Sequence, residues 1–330
     1  SYTEPQETLE TLRQAMQTDQ YQQSLEIPFG VVRSMLDLGL TQQAQTWLAS
    51  MSSRLAGNWR FYWYFGVVNT LLGDYAAAQR DFARVLAFLP GEAAPKLAIA
   101  AVNELMLQHL GLHEEPLLND ALARASAGLR SKLDDVDQSF FEDLHDRGLL
   151  DREWGLITND PAMLRFHSMR LYALVWVTNP TTVSSAFGLA RQLMNEGEVE
   201  LAVAALDKVP QQSRHHRMAK LTSILYLVSD ALTESRIRRA ARRLEEIPTN
   251  EPRLLQIKVA VLRAGLTFLR DSGASATTAK TQLFEYDFTQ RGLRRGLAIT
   301  LREQARVARY PRHRFTLVDM ANKVRPATWF

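Results

Sequence analysis

The chain has 330 residues, of which 46% are hydrophobic and 23% charged, a formal net charge of +3, and no cysteine. That length accommodates two ordinary domains or one extended array, and the lack of cysteine excludes disulfides, thiolate nucleophiles and cysteine-ligated metals. No run approaches the roughly 18 apolar residues that span a bilayer, and no basic segment followed by an apolar core opens the chain, so a cytoplasmic protein is expected.

Residues 1–24 are rich in Gln and Glu, with Leu9, Leu12 and Met16 on one helical stripe, and read as a linker or a capping helix. The short polar opening Ser-Tyr-Thr-Glu-Pro suits a boundary inside a longer polypeptide. A helix over about Phe29 to Leu38 comes after Ile27-Pro28, proline being at home in a first helical turn. Gly39 separates it from a second helix with Ala44, Leu48 and Met51 on one stripe. The pattern is clearest from Trp59 to Glu92, WRFYWYFGVVNTLLGDYAAAQRDFARVLAFLPGE. There Tyr62, Phe65, Gly66 and Asn69 fall at i, i+3, i+4 and i+7, and Ala78, Phe82, Val85 and Leu89 form one stripe of the next helix at i, i+4, i+7 and i+11. Gly73-Asp74 breaks the two helices, glycine by taking the left-handed conformation that ends the first and aspartate by capping the second, which Pro90 then stops. Gly66 and Ala78 are small positions that let the helices approach, with Phe82 as the large knob between them. Gly39 and Gly73 stand 34 residues apart with their stripes in register, which is the tetratricopeptide period.

Ala93 to Leu110 reads as the first helix of a third repeat, with Leu97, Ala100, Ala101 and Glu104 on its small-residue face. Its partner is delayed by an acidic stretch, 111–163, in which Asp134, Asp135 and Asp137 precede Glu142, Asp143 and Asp146. Such a stretch is expected to be an insertion that loops out of the array, with short helices around 116–133 and 138–144. The period resumes over Leu164 to Val177, where Ser168, Tyr172 and Val175 take the second-helix stripe. Repeat four spans Val183 to Pro210, with Leu189, Ala190 and Leu193, a turn at Gly197-Glu198, and Ala202, Leu206 and Val209. Repeat five pairs Met218–Asp230 with Glu234–Ile247, whose stripe is Ala240, Leu244 and Ile247. Next come a helix over 251–270, a small-residue break from Asp271 to Ala279, and helices over about 289–308 and 312–324, with 325–330 extended and packed by its aromatics. No strand-like alternation is long enough to count. The fold class is all-α: a tetratricopeptide-like helical-repeat solenoid with an insertion and a C-terminal capping helix pair. Its divisions are 1–24 (linker or capping helix), 25–110 (repeats and first helix of repeat three), 111–163 (insertion) and 164–330 (remaining repeats and cap).

Motifs that carry chemistry are missing. There is no G-x-x-x-x-G-K, G-x-G-x-x-G or H-E-x-x-H. Asp287-Phe288-Thr289 and His145-Asp146-Arg147 superficially resemble kinase pieces but lack the flanking order that would place an aspartate on Mg²⁺ or a substrate hydroxyl. Asp134, Asp135 and Asp137 lack the Gly and terminal Glu of a calcium loop and read as a solvated acidic loop. His215-His216 read as surface residues at a repeat junction. Arg236, Arg239 and Arg243 share a stripe of the 234–247 helix, spaced so that their forks can grip phosphates or carboxylates. The plainer reading is a solvated face partly neutralised by Glu245 and Glu246. Charge is uneven: residues 191–330 carry 25 Lys+Arg against 14 Asp+Glu, and residues 113–160 carry 5 against 12. The basic part can meet nucleic acid, an acidic protein or the chain's own acidic stretch; the helix with the arginine stripe has no aromatics between its cations, which disfavours nucleic acid. Because first helices line the inner face of such arrays, Tyr62, Asn69, Asn103 and Arg191 are the expected partner-binding residues there.

Five runs go beyond generic periodicity: GDYAAAQRDFARVLAFLPGE (73–92), APKLAIAA (94–101), SSAFGLAR (184–191), EPRLLQIK (251–258) and RHRFTLVDMANKVRP (312–326). Together they resemble the C-terminal region of the actinobacterial protein kinase G family; the acidic stretch 111–163 departs from the mycobacterial form. The resemblance implies a serine/threonine kinase with a rubredoxin-like metal module, a kinase domain and this repeat region. Its kinase would phosphorylate a forkhead-associated-domain regulator of 2-oxoglutarate dehydrogenase and so govern glutamate metabolism. It also implies that this chain has no catalytic, cofactor or metal residues, ATP and Mg²⁺ belonging to the kinase domain. The expected partners are that kinase domain, the forkhead-associated regulator and a second copy of the chain, with no nucleic acid and no membrane insertion. The alternatives are a free-standing repeat adaptor or transcriptional regulator, and, requiring converging acids and bases that the sequence does not offer, an enzyme built in the groove.

Overall fold

The computed structural model describes residues 4–17, 24–118, 156–272 and 281–326. The chain divides into two compact units, Ser1–Glu196 and Gly197–Phe330.

The described helices of the first unit are α1 (Pro5–Ala15), α2 (Glu26–Asp37), α3 (Thr41–Ser50), the single turn α4 (Ser52–Leu55), α5 (Trp59–Leu71), α6 (Tyr75–Phe88), α7 (Ala93–His109), α8 (Pro161–Thr178) and α9 (Val183–Asn195). Each long helix packs on its neighbours in chain order, α7 and α8 included, although residues 110–160 lie between them. Three of the turns have one cause. At the ends of α2, α5 and α7 the chain turns through Gly39, Gly73 and Gly111, all at positive φ. The next amide bonds back to the helix: Leu40 N to Met35 O at 2.8 Å, Asp74 N to Asn69 O at 2.9 Å, Leu112 N to Leu107 O at 2.9 Å. This is the Schellman stop, which satisfies carbonyls the helix leaves open. Asp74 then caps α6 by accepting from Ala77 N at 3.0 Å, and Asn58 and Asp160 cap α5 and α8 in the same way.

Leu9, Phe29, Val32, Leu48, Leu55 and Phe61 belong to one buried core at the start of this unit. Leu9 brings α1 into that core, so this part of 1–24 is a packed helix. Gly66 and Phe82 meet as expected: a Cβ at Gly66 would lie 2.6 Å from Phe82 Cε1. Gly188 on α9 stands likewise against Tyr172 on α8, at 2.5 Å. On α7 the buried face runs through Ile99, Ala100, Val102, Asn103 and Leu107, whereas Leu97 and Glu104 are half-buried and Ala101 is exposed. That helix is apolar nearly all round, so its sequence period locates the helix but not its inner face.

The second unit contains α10 (Val199–Asp207), α11 (His216–Leu227), α12 (Glu234–Glu245), α13 (Leu254–Asp271), β1 (Gln282–Leu283), β2 (Tyr286–Asp287), α14 (Gln290–Val307) and α15 (Pro311–Val324). Helices α11 to α15 each pack on the one before, and α11 also meets α13. The strands form an antiparallel pair, Gln282 opposite Asp287 and Leu283 opposite Tyr286. Two residues per strand are too few for alternation to register, which is why the sequence carries no sign of them. Lys258 on α13 holds the connecting turn, pairing with Glu285 at 2.8 Å and lying over the rings of Phe284 and Tyr286. Gly296 admits Tyr286 to α14. The short helices expected at 116–133 and 138–144 lie outside the described residues, except 116–118, which are not helical; so do 327–330 of the final extended segment.

Candidate partner-docking surfaces

Asn69 and Asn103 sit on first helices as expected, but the structure turns both inward. Asn69 is 6% exposed and Asn103 not at all. Gln45 Nε2 on α3 donates to Asn69 Oδ1 on α5 at 3.2 Å, and Gln79 Nε2 on α6 donates to Asn103 Oδ1 on α7 at 2.7 Å. The two bonds are one bond repeated at the 34-residue period, each joining the second helix of one repeat to the first helix of the next. This corrects their placement on the inner surface, because polar side chains at a junction between repeats are enclosed by it and must find partners there. Both ends of the clasp are extended. Asn69 Nδ2 donates to Asp81 at 2.9 Å, and Gln79 Oε1 accepts from Thr158 N at 3.0 Å. Burial raises the Asp81 pKa against the hydrogen bond from Asn69.

Arg191 reaches from α9 to Glu104 on α7 with two bonds of 2.7 and 2.8 Å. Beside them burial, reinforced by Glu104, raises the Tyr172 pKa. The arginine thus bridges elements within the first unit while half its side chain remains exposed. Tyr62 is half-buried, stacked on Phe88 with ring centroids 6.1 Å apart, and carries the Arg84 guanidinium at 5.0 Å from its own. Of the four residues expected on the inner face, Tyr62 and Arg191 offer surface.

A concavity of this unit is built from residues that the helical stripes do not single out. A cavity of about 590 Å³ is lined by Phe29 and Arg33 of α2, by Trp59, Trp63 and Tyr64 of α5, and by Pro95 of α7. Phe29 stacks on Tyr64 with centroids 5.7 Å apart, and Arg33 donates to the Tyr64 hydroxyl. Arg60 spans one period to pair with Glu26. The sequence signal for this cavity is the recurrence of aromatics at 29 and 63 and of opposite charges at 26 and 60. The surplus of aromatics along α5 obscures which of them face outward.

A feature with no sequence signal is the buried pair of Arg165 on α8 and Glu196 at the end of α9, 2.6 Å apart with side chains 0% and 2% exposed. Glu196 accepts from the backbone N–H groups of Leu117 and Leu118, and Arg165 donates to the carbonyls of His113 and Glu115. Burial lowers the Arg165 pKa and the Glu196 carboxylate opposes that shift. Together the pair grips the strand of chain that leaves α7, while Gln79 grips the chain that returns at Thr158. Nothing in local periodicity marks either residue, since the contact joins positions far apart in sequence.

In the second unit the arginine stripe of α12 meets carboxylates of its own chain. Glu200 on α10 accepts from Arg236 Nε at 2.9 Å and from Arg239 Nη2 at 2.6 Å, and Asp207 takes both forks of Arg243 at 2.7 Å. Arg238 pairs with Glu234 and lies 4.8 Å from the centroid of the Phe288 ring. The Glu200 pKa is pushed up by burial, but the hydrogen bonds of Arg239 and Arg236 outweigh this and hold it low. The expected carboxylate grip is therefore internal, and its acids are Glu200 and Asp207 rather than Glu245 and Glu246. Neighbouring Arg242 is exposed and lines an open cavity with Glu245 and Phe284. Among the described residues no group of His, Asp and Glu is arranged to hold a metal ion, and no helix is long and apolar enough to cross a membrane.

A family model described as the protein kinase G tetratricopeptide repeat matches residues 1–328. Two similar curated proteins are each named serine/threonine-protein kinase PknG. The one from Mycobacterium leprae (strain TN) is 38% identical over 336 aligned positions, and the one from Mycolicibacterium smegmatis is 35% identical over 338. Each alignment takes in 99% of this chain and 36% of the relative, so the chain spans little more than a third of their length.

Proposed function

Because the chain belongs to the protein kinase G tetratricopeptide-repeat family, we propose that it serves as the non-catalytic, protein-docking region of a serine/threonine kinase. The observation that carries this reading is the match of a repeat model to 1–328, combined with relatives named as kinases in which this region is 36% of the length. Its work is burial and presentation: aromatics and period-spaced polar clasps hold helices in order so that their outer faces stay in register. On this reading α1 caps the array formed by the helices that follow, and the chain between α7 and α8 is held at its described ends, by Arg165 and Glu196 over 113–118 and by Gln79 at Thr158. The partners are the kinase domain of the same polypeptide, a forkhead-associated-domain regulator of 2-oxoglutarate dehydrogenase and a second copy of the chain. The setting is the cytoplasm and the physiological output is control of glutamate metabolism. ATP and Mg²⁺ are bound in the kinase domain only. Tyr62, Arg191 and the aromatic cavity around Trp63 form the docking face of the first unit.

The test compares the complete kinase polypeptide with one lacking this region, using the forkhead-associated regulator as substrate. Loss of the region is expected to raise KM for the regulator by about tenfold or more while phosphorylation of a short unstructured peptide is retained. Equal KM values for the regulator would overturn the reading.

A further inference from the structure

The end of α14, the connection that follows and the start of α15 bring exposed apolar side chains together with arginines that have no acid beside them. Val307, Tyr310 and Phe315 are 71%, 67% and 68% exposed, more than any other large hydrophobic side chain described. Around them stand Arg306, Arg309, Arg312 and Arg314, and no Asp or Glu occurs between Glu303 and Asp319. The contrast with α12 is informative. There Arg236, Arg239 and Arg243 are each matched by a carboxylate of Glu200 or Asp207. Among the described residues the four arginines of this tip have no carboxylate partner, and Arg314 reaches only the carbonyl of Ala308, at 3.4 Å. A surface of guanidinium forks without acids around bare apolar side chains is complementary, in charge and in character, to a partner that carries carboxylates and a large apolar group.

We propose that this tip is a docking site for an acidic protein segment that carries a large apolar side chain. The inference rests on the reading of the chain as a protein-docking region and names the chemistry of one partner. Three properties favour a protein over a lipid or nucleic-acid surface. Arginine and aromatics without lysine are the composition enriched at the centres of protein interfaces. Carboxylates are what arginines of this molecule already bind, bidentately at Asp207. Tyr310 lies in the short connection, Val307 at the last residue of α14 and Phe315 near the start of α15, so the exposed side chains are separate anchors on different elements rather than one continuous apolar helix face.

The experiment uses the whole chain and a fluorescein-labelled peptide of aspartates and glutamates around one central phenylalanine, read by fluorescence anisotropy. Binding is expected to weaken about tenfold or more when Arg306, Arg309 and Arg312 are replaced together by Gln. A similar loss is expected for Tyr310→Ser with Phe315→Ser, and for the peptide with serine in place of its phenylalanine. All substituted side chains are exposed, so unchanged circular dichroism melting serves as the folding control. Failure of the peptide to bind, or equal binding of the serine peptide, overturns the proposal. So does preferential binding to phosphatidylglycerol vesicles or to single-stranded RNA at this same tip. A kinase that still needs the region for its regulator substrate after any of these outcomes leaves the broader docking function standing and removes this site alone.

Discussion

A buried amide tests its surroundings more severely than an exposed one, because water cannot replace a lost partner. Asn103 has no exposed surface and accepts from Gln79 Nε2 at 2.7 Å, while the other end of Gln79 holds Thr158 N. Asn103→Ala removes an acceptor without admitting solvent, so Gln79 keeps a donor with a lost bond; it also removes the buried Asn103 Nδ2, which has no partner among the described residues, so the cost falls in the lower part of about 1–3 kcal/mol. The expected reading is a melting temperature lower by roughly 2–12 °C, with binding of partners to the exposed surface unaltered. Tyr62→Ala, at a half-buried ring stacked on Phe88, should show the reverse balance, with a smaller thermal loss and a larger effect on docking. Thermal unfolding followed by circular dichroism, alongside a partner-binding titration, separates the two variants. A normal melting temperature in Asn103→Ala would mean that the clasp contributes nothing to holding repeats two and three together.

At the scale of helices, contacts made by neighbours in sequence were legible and contacts made across the array were not. The pairing of Gly66 with Phe82 comes from one turn of known period, and the stops at Gly39 and Gly73 come from their spacing and from the left-handed conformation that glycine adopts freely. Asn69 and Asn103 could be placed on first helices, but their inward direction depends on Gln45 and Gln79, each 24 residues away on the second helix of the preceding repeat. The sign of that direction in the sequence is a polar pair recurring at the repeat period, which a stripe of apolar residues does not reveal. The grip of Arg165 and Glu196 on 113–118 has no such period and becomes visible only when α8 and α9 are folded. The helix pair itself offers a sharp test. A methyl group at Gly66 would lie 2.6 Å from Phe82 Cε1, too close for the buried Phe82 ring to stay where it is. Gly66→Ala gains helix propensity, worth about 1 kcal/mol, yet overpacking costs about 1–3 kcal/mol, so net destabilisation is expected. Adding Phe82→Leu to Gly66→Ala relieves the clash and should recover part of the loss. If the double variant melted below both single variants, overpacking at this contact would not be the cause.

Across the whole molecule, stability at acid pH is set by carboxylates whose folded environments pull in opposite directions. Glu200 is held low by Arg239 and Arg236 in spite of burial, and Glu285 is likewise held low by Lys258. Asp81 is raised by burial. A carboxylate whose folded pKa lies below its unfolded value adds stability that is complete above the unfolded value and is lost as pH falls through the folded one. With an ordinary glutamate near 4.3, the contribution of Glu200 and Glu285 should fade as pH falls below that value and through their lower folded ones. Asp81 acts with the opposite sign: its ionised form burdens the fold at neutral pH, and protonation through its raised pKa relieves that burden as pH falls. The two depressed glutamates lie in the second unit and the raised aspartate in the first, so acidification is expected to destabilise the second unit, where Glu200 of α10 meets the arginine helix and Glu285 meets Lys258, and to relieve the first. Glu200→Gln already lacks the ionised contribution at neutral pH, so it should melt lower at pH 7 and lose less than the parent on descent to acid. Asp81→Asn should remove the opposing contribution and steepen the parent's decline. Melting curves for the three proteins across that range decide the matter: parallel slopes for parent and Glu200→Gln would show that the internal arginine–carboxylate cluster is not what couples this fold to pH.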